Sequence, residues 1–248
     1  SAESITKMAE QKADIIVTAA FGEFINKKIR NLCPFGAVNL HPSLLPKYRG
    51  ASPIQSAILN GETETGTTIS LVSAKMDAGP ILAQTKLSIA ENETYSELKE
   101  RLAEQAGDLL LQFWKKLITE KSLCGTKQDE SKATYCYKIT NKTCQIDWNK
   151  RTQEIHTQIR AFSLTPGAWT LFRYNKLKIL CSEKTVEPAN GEPGLICKID
   201  KKRGFFVNCL DFKLLITKVQ PAGKKVMEAV AFINGARLRE KEKLGGEK

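Results

Sequence analysis

Apolar residues recur at two different periods in this chain of 248 residues, and the change of period divides it. Up to about residue 120, strand-length apolar runs alternate with stretches of helical spacing. Beyond Pro166-Gly167 short strands follow one another with turn signals between them: AWTLFRY, KLKILCSEKTV, GLICKIDKK, GFFVNCL and FKLLITKVQPAG. The first pattern predicts an α/β layer structure, whose ligands sit at strand ends. The second predicts a small β-barrel.

Within the first part, Ala13 to Phe21 (ADIIVTAAF) reads as a buried strand closed by Gly22. In the next strand, Gly36 to His41, side chains alternate, so Val38 and Leu40 face one way and Ala37, Asn39 and His41 the other. Pro42 and Pro46 stop the ladder, which makes Ser43, Leu44, Leu45 and Pro46 an ordered loop at the strand's end. Ala51 to Asn60 predicts a short helix capped by Gly61. Strands over 67–73 and 80–89 flank a turn, Lys75 to Gly79, that carries Asp77. Thr94-x-x-Glu97 forms a capping box, and Leu98, Leu102, Leu109, Phe113 and Leu117 then mark one face of a long helix.

Residues 121–149 are polar and read as a linker, which gives a first domain over 1–120 and a second over 150–248. The second opens with a helix near 151–162 and closes with a short helix ending at Gly235. His156, inside the opening helix, is expected to be a surface or interdomain residue rather than a ligand.

The net charge of +11 is unevenly shared. Residues 1–131 carry 15 Lys and Arg against 16 Asp and Glu, whereas residues 132–248 carry 23 against 11. One reading is a well-solvated surface. The other is a polyanion partner, because Lys and Arg gain affinity by releasing counterions from phosphates. Without a polybasic run beside an amphipathic helix, nucleic acid is favoured over membrane. Lys201, Lys202, Arg203, Lys224 and Lys225 are the candidate phosphate contacts. No apolar run approaches the roughly 20 residues that span a bilayer, and the N-terminal stretch lacks the basic-then-apolar order of a signal peptide. Seven scattered cysteines, with no Cys-x-x-Cys pair and no histidine at zinc-ligand spacing, predict reduced thiols in an intracellular compartment and no metal.

Asn39, His41 and Asp77 bring an amide, an imidazole and a carboxylate to strand ends of one domain. With no Gly-x-Ser-x-Gly elbow and no cysteine beside the histidine, no protein nucleophile presents itself. That predicts direct transfer between two bound substrates. If an amine attacks an acyl or formyl carbon, Asn39 and protonated His41 would stabilise the oxyanion and Asp77 would take the departing proton. The other reading is structural: His41 hydrogen-bonds at a strand end, and Asp77 caps a turn.

The segment NLHPSLLPKYRGASPIQ, followed by GETETGTTISLVSAKMDAGPILAQ, resembles the folate-dependent formyltransferases in its Asn-x-His strand end, SLLP loop and Asp-Ala-Gly turn. The resemblance covers roughly residues 13–120. YRGASPI together with MDAG is more similar to the branch acting on methionyl-tRNA than to the purine-pathway branch acting on glycinamide ribonucleotide. KITNKTCQIDWNKRTQEIHTQIRAFSLTPGAWT resembles the start of that branch's C-terminal barrel domain.

The resemblance implies a partial Rossmann-like formyltransferase domain followed by a small OB-like β-barrel that binds tRNA. It implies 10-formyltetrahydrofolate as formyl donor, initiator methionyl-tRNA as acceptor and no metal, with Asn39, His41 and Asp77 catalytic. Ser43, Leu44, Leu45 and Pro46 would hold the folate, the loop's backbone reading the pterin edge, and Phe21 and Gly22 would line the same pocket. Arg49 would either meet substrate phosphate or pin the loop. Relatives begin with a further segment bearing the first strands of the sheet, so the first domain is expected to be incomplete. A monomer working in translation initiation, in the bacterial cytoplasm or an organellar matrix, completes the expectation. Two other readings stand beside it: transfer to a small amine such as an amino-sugar nucleotide, whose enzymes KYRG and GETETG also resemble, and an inactive tRNA-binding remnant. The basic second half disfavours the small acceptor.

Overall fold

A computed structural model describes residues 2–23 and 25–245 in two compact units. The first comprises Ser1–Glu91 and Glu97–Lys138, the second Asn92–Ser96 and Ile139–Lys248. Residues 246–248 of the expected second domain lie outside the described residues.

The first unit is built on a four-stranded sheet. In chain order its elements are α1 (Ala2–Glu10), β1 (Ile16–Ala19), α2 (Lys27–Arg30), β2 (Ala37–His41), β3 (Arg49–Gly50), α3 (Pro53–Leu59), β4 (Glu64–Leu71), β5 (Ile81–Ser88), the long α4 (Tyr95–Glu120) and β6 (Tyr135–Cys136). The sheet runs β1-β2-β4-β5, with β1 parallel to β2 and the remaining pairs antiparallel. Period-two alternation does what the sequence requires of β2. Val38 and Leu40 join Ile15 and Ile69 in a core with Leu109, Phe113 and Leu117 of α4, which leaves Asn39 and His41 on the opposite face. Gly61 follows α3 with φ +68, the left-handed position expected after that helix. Helix α1 falls where the sequence offered no strong signal.

Residues 121–149, expected as a linker, are instead divided between the two units and packed in both. Within the first unit, β6 pairs in parallel with β3, and Thr126 exchanges backbone hydrogen bonds with Ile81 at 2.8 Å. Within the second, Cys144, Ile146 and Trp148 are buried. Polar composition concealed this because the backbone, rather than apolar side chains, makes many of the attachments.

The second unit comprises α5 (Thr152–Phe162), β7 (Ala168–Phe172), β8 (Asn175–Pro188), β9 (Ile196–Asp200), β10 (Gly204–Asn208), β11 (Phe212–Pro221), β12 (Met227–Glu228) and α6 (Ala229–Ala236). Its antiparallel sheet runs β7-β8-β11-β10-β9. Strand β8 lies along one edge of β11, and β10 and then β12 lie along the other. The two outer strands are joined by the tail. The tail donates from Lys241 and Leu244 to Ile196 and Gly194 beside β9, and from Gly245 to Leu171 of β7 at 2.9 Å. Residues 144–146 bond the same strand β7 through Trp169. The sheet is thereby a small barrel with a hydrogen-bonded seam. Helix α6 ends at Arg237, left-handed with φ 48, and not at Gly235, which lies inside it. His156 is not a surface residue: it is 2% exposed, with Nδ1 3.0 Å from Ser182 Oγ and Nε2 3.2 Å from Asn92 Oδ1.

Candidate active site

The end of β2 delivers Asn39 and His41 to one face, and the loop between β4 and β5 brings Asp77 to them. Asp77 holds φ +49, a left-handed conformation that Asp tolerates better than most residues. Its Oδ2 accepts the Gly50 N–H at 2.9 Å and lies 3.7 Å from His41 Nδ1, while Oδ1 faces Asn39 Nδ2 at 3.5 Å. The three residues singled out in the sequence therefore converge.

The roles of their atoms follow from the neighbours. His41 is 4% exposed, and its Nε2 lies 2.8 Å from the Tyr48 carbonyl, which can only accept. Nε2 must carry a proton there, so Nδ1 is the nitrogen turned toward Asp77. The Thr18 hydroxyl donates to Asn39 Oδ1 at 2.9 Å, which turns the amide N–H pair toward Asp77. Thr18 and Asn39 are register partners on parallel strands. In-register residues share a face, so pairing the first two strands would have revealed Thr18 from sequence.

Tyr48 is fixed at both ends. Its N–H donates to Thr134 Oγ1 at 2.8 Å and its hydroxyl to Glu62 Oε1 at 2.7 Å. Burial, reinforced by the Glu62 hydrogen bond, pushes the Tyr48 hydroxyl up to about 12, so it remains a donor. In return that hydroxyl, helped by Lys47, holds the Glu62 carboxyl below its ordinary value. The buried Cys136 thiol also points at the Tyr48 carbonyl, and burial raises its pKa.

Arg49 is fully buried and fully engaged. Its guanidinium donates to Gln128 Oε1 at 3.0 and 2.8 Å and to the Glu130 carboxylate at 3.1 and 2.8 Å. Of its two anticipated uses, the geometry is that of pinning the loop. Gln128 and Glu130 belong to the stretch expected as a linker, and no sequence pattern marked them.

In the SLLP segment most backbone groups are already used. The Ser43 N–H reaches His41 O, Thr68 Oγ1 bonds both Ser43 O and Leu45 N–H, and Gln84 Nε2 donates to Leu45 O. Leu44 O and Pro46 O accept from Lys47 and Thr134. Among the described residues, the Leu44 N–H is the group of this segment left without a partner. It is thus the one backbone N–H of the segment free to donate to a ligand. Leu44 and Pro46 are half-buried, whereas Ser43 and Leu45, also expected to hold the folate, are buried, at 0% and 3% exposed, beneath them. Phe21, 57% exposed, and Gly22 follow β1, so their loop leaves the same end of the sheet as SLLP.

Lys201, Lys202 and Arg203 form the β9–β10 turn, and Lys224 and Lys225 the β11–β12 connection. All five are exposed, and the strand directions bring both segments to one end of the sheet. Arg203 is partly neutralised by Glu183 at 2.6 Å. No group of three or more His, Cys, Asp or Glu that could hold a metal occurs among the described residues, and no helix there is long and apolar enough to cross a membrane.

Comparison with known proteins gives this geometry a family. Residues 1–113 match the formyl transferase family, and residues 138–237 match the formyl transferase C-terminal domain family. A methionyl-tRNA formyltransferase of Geobacillus sp. (strain WCH70) is 40% identical over 225 residues, 91% of this chain and 70% of that protein. Among solved structures, HypX from Aquifex aeolicus, in complex with tetrahydrofolic acid, shares the fold. Its TM-score is 0.74 at 18% identity, covering 99% of this chain and 44% of that one. An N-formyltransferase from Helicobacter canadensis, in complex with folinic acid and dTDP-3-aminofucose, is 26% identical with a TM-score of 0.58, covering 74% and 65%. With both domains matched in order and curated relatives this similar over most of its length, the chain belongs to the methionyl-tRNA formyltransferase family of folate-dependent formyltransferases.

Proposed function

We propose that the chain transfers a formyl group from 10-formyltetrahydrofolate to the amino group of methionyl-initiator tRNA, with Asn39, His41 and Asp77 carrying the chemistry. The observation that carries this reading is the Asp77 carboxylate, held by the Gly50 N–H beside Asn39 Nδ2 and His41 Nδ1. The folate, when bound, supplies an activated formyl carbon. Leu44 and Pro46 would contact it, Ser43 and Leu45, buried beneath them, would shape the loop, and Phe21 and Gly22 would lie on the neighbouring loop.

The chain's own residues then divide the work. The amide protons of Asn39 and a proton on His41 Nδ1 meet the negative charge that develops on the formyl oxygen. Asp77 would take the proton that the attacking amine must lose and return it to the departing folate nitrogen, whose bond to the formyl carbon breaks once the new bond to the amine has formed. The Tyr48 carbonyl keeps Nε2 protonated, so His41 can deliver a proton only from Nδ1. Lys201, Lys202, Arg203, Lys224 and Lys225 would meet tRNA phosphates.

A second reading, transfer to a sugar amine, is favoured by the likeness to the Helicobacter canadensis protein and by the KYRG and GETETG stretches. Against it stands the charge, since residues 132–248 carry 23 basic against 11 acidic side chains and a small acceptor needs no such surface. The deciding experiment offers the purified protein 10-formyltetrahydrofolate with either methionyl-initiator tRNA or a nucleotide-linked amino sugar. Formylation of the tRNA alone supports the proposal; formylation of the sugar alone overturns it. Salt-sensitive tRNA binding without transfer would identify a remnant.

A further inference from the structure

We infer that Gln128 is a positioning residue for formyl transfer, holding the backbone of the Asp77 turn so that the carboxylate meets the attacking amine. The catalytic half of this inference rests on the reading above; the positional half does not.

Gln128 is 5% exposed, and all four of its amide's bonding positions are filled. Nε2 donates to Asp77 O at 2.8 Å and to Gly79 O at 2.7 Å. Oε1 accepts from Arg49 Nε at 3.0 Å and Nη2 at 2.8 Å. The amide's orientation is fixed by chemistry, because carbonyls only accept and a guanidinium only donates.

The consequence is a closed ring of bonds. Gly50 grips the Asp77 carboxylate through its N–H. Its neighbour Arg49, acting through Gln128, grips the backbone of the same residue. Asp77 is thereby located at both ends from a single dipeptide, and its left-handed φ of +49 is maintained by contacts from outside the turn. The Gly79 carbonyl is caught by the same Nε2, so both sides of Ala78 are fixed at once. Such double fixing matters because an acceptor carboxylate displaced by about 1 Å can cost about 10²-fold in rate.

The substitution that isolates this role is Gln128→Glu. An apolar replacement would leave the buried Arg49 guanidinium short of acceptors and threaten the fold. A carboxylate keeps the Arg49 bonds and strengthens them by charge. Its second oxygen, however, faces the carbonyls of Asp77 and Gly79, to which it can donate nothing at neutral pH.

The test is single-turnover formyl transfer to methionyl-initiator tRNA with both substrates saturating. Wild type, Gln128→Glu, Asp77→Asn and the double variant are compared, and amide hydrogen exchange is followed over residues 75–79. The expected result is a loss of about 10²-fold in Gln128→Glu with tRNA and folate affinities unchanged, and no further loss when the change is added to Asp77→Asn. Exchange over 75–79 should rise while that of β4 does not. A wild-type rate in Gln128→Glu overturns the inference, and so does a loss that simply multiplies with that of Asp77→Asn, which would mean a general structural role. Should the wild-type protein transfer no formyl group to the tRNA, the reading of function fails by itself. The exchange measurement then decides: unchanged exchange over 75–79 refutes the positioning, and raised exchange upholds it.

Discussion

His41 has one nitrogen to offer a substrate. Its Nε2 is spent on the Tyr48 carbonyl at 2.8 Å, and that carbonyl belongs to a residue anchored through its own N–H and hydroxyl. A histidine tied in this way costs no reorganisation at the moment charge develops, which is what gives a preorganised donor its effect. Accordingly His41→Ala should lower the single-turnover rate by about 10²–10³-fold while leaving folate and tRNA affinity nearly unchanged, because the lost interaction belongs to the transition state. Asn39→Ala should behave alike but without additivity, since both residues are proposed to serve one oxygen. A His41→Ala protein that transfers formyl at the wild-type rate and is merely less stable would return His41 to the structural reading.

Helix α5 is started from a distant part of the chain. Asp211 Oδ1 accepts from both the N–H and the hydroxyl of Thr152 at 2.8 Å, the first residue of the helix. Burial opposes the charge on Asp211, but these bonds and the Phe212 N–H outweigh it and hold the carboxyl below its ordinary value. A carboxylate so depressed contributes stability above its unfolded pKa of about 3.9 and loses it as pH falls toward the folded value. Asp211→Ala should therefore cost about 1 kcal/mol at pH 7, as capping residues do. In urea melts the difference from wild type should shrink as the pH drops below about 4. A difference independent of pH would mean that the charge is not what caps the helix.

What could be foreseen in the sequence, and what could not, follows the range of the contacts. Asn39 and His41 were legible because alternation along one strand and a following proline are local facts. The apolar stripe of α4 was legible for the same reason. Gln128 was not: its partners Arg49 and Asp77 lie 79 and 51 positions away, and it sits in a polar stretch without period. The burial of His156 likewise depends on Ser182 and Asn92, which nothing in RTQEIHTQIRAF announces. That residues 43–46 form a loop at the end of β2 was legible, but which of its backbone groups are already taken was not, because Thr68 and Gln84 reach the loop from neighbouring strands.

Across the molecule the charge is segregated, and the five exposed cations on the β9–β10 turn and the β11–β12 connection share one end of the barrel's sheet. Replacing Lys201, Lys202, Arg203, Lys224 and Lys225 with Gln should weaken tRNA binding. The salt dependence should flatten by about one unit of slope for each phosphate contact removed, with Arg203 contributing least because Glu183 already faces it. Binding titrations at several salt concentrations read both quantities, and an unchanged slope would place the tRNA surface elsewhere.

The barrel's seam has an optical consequence. The indole of Trp148, 3% exposed and donating to Thr170 Oγ1 at 3.0 Å, lies against Gly194 beside β9 and Gly245 of the tail, the segments that the seam ties together. Indole emission moves to longer wavelength when water arrives, so this ring is a built-in gauge of whether the barrel is shut. The seam consists of a few hydrogen bonds, whereas β8 and β11 are paired along most of their length. In rising urea, the component of emission that Trp148→Phe removes should therefore shift before the far-ultraviolet dichroism falls. If the two change together, the barrel opens only when it melts.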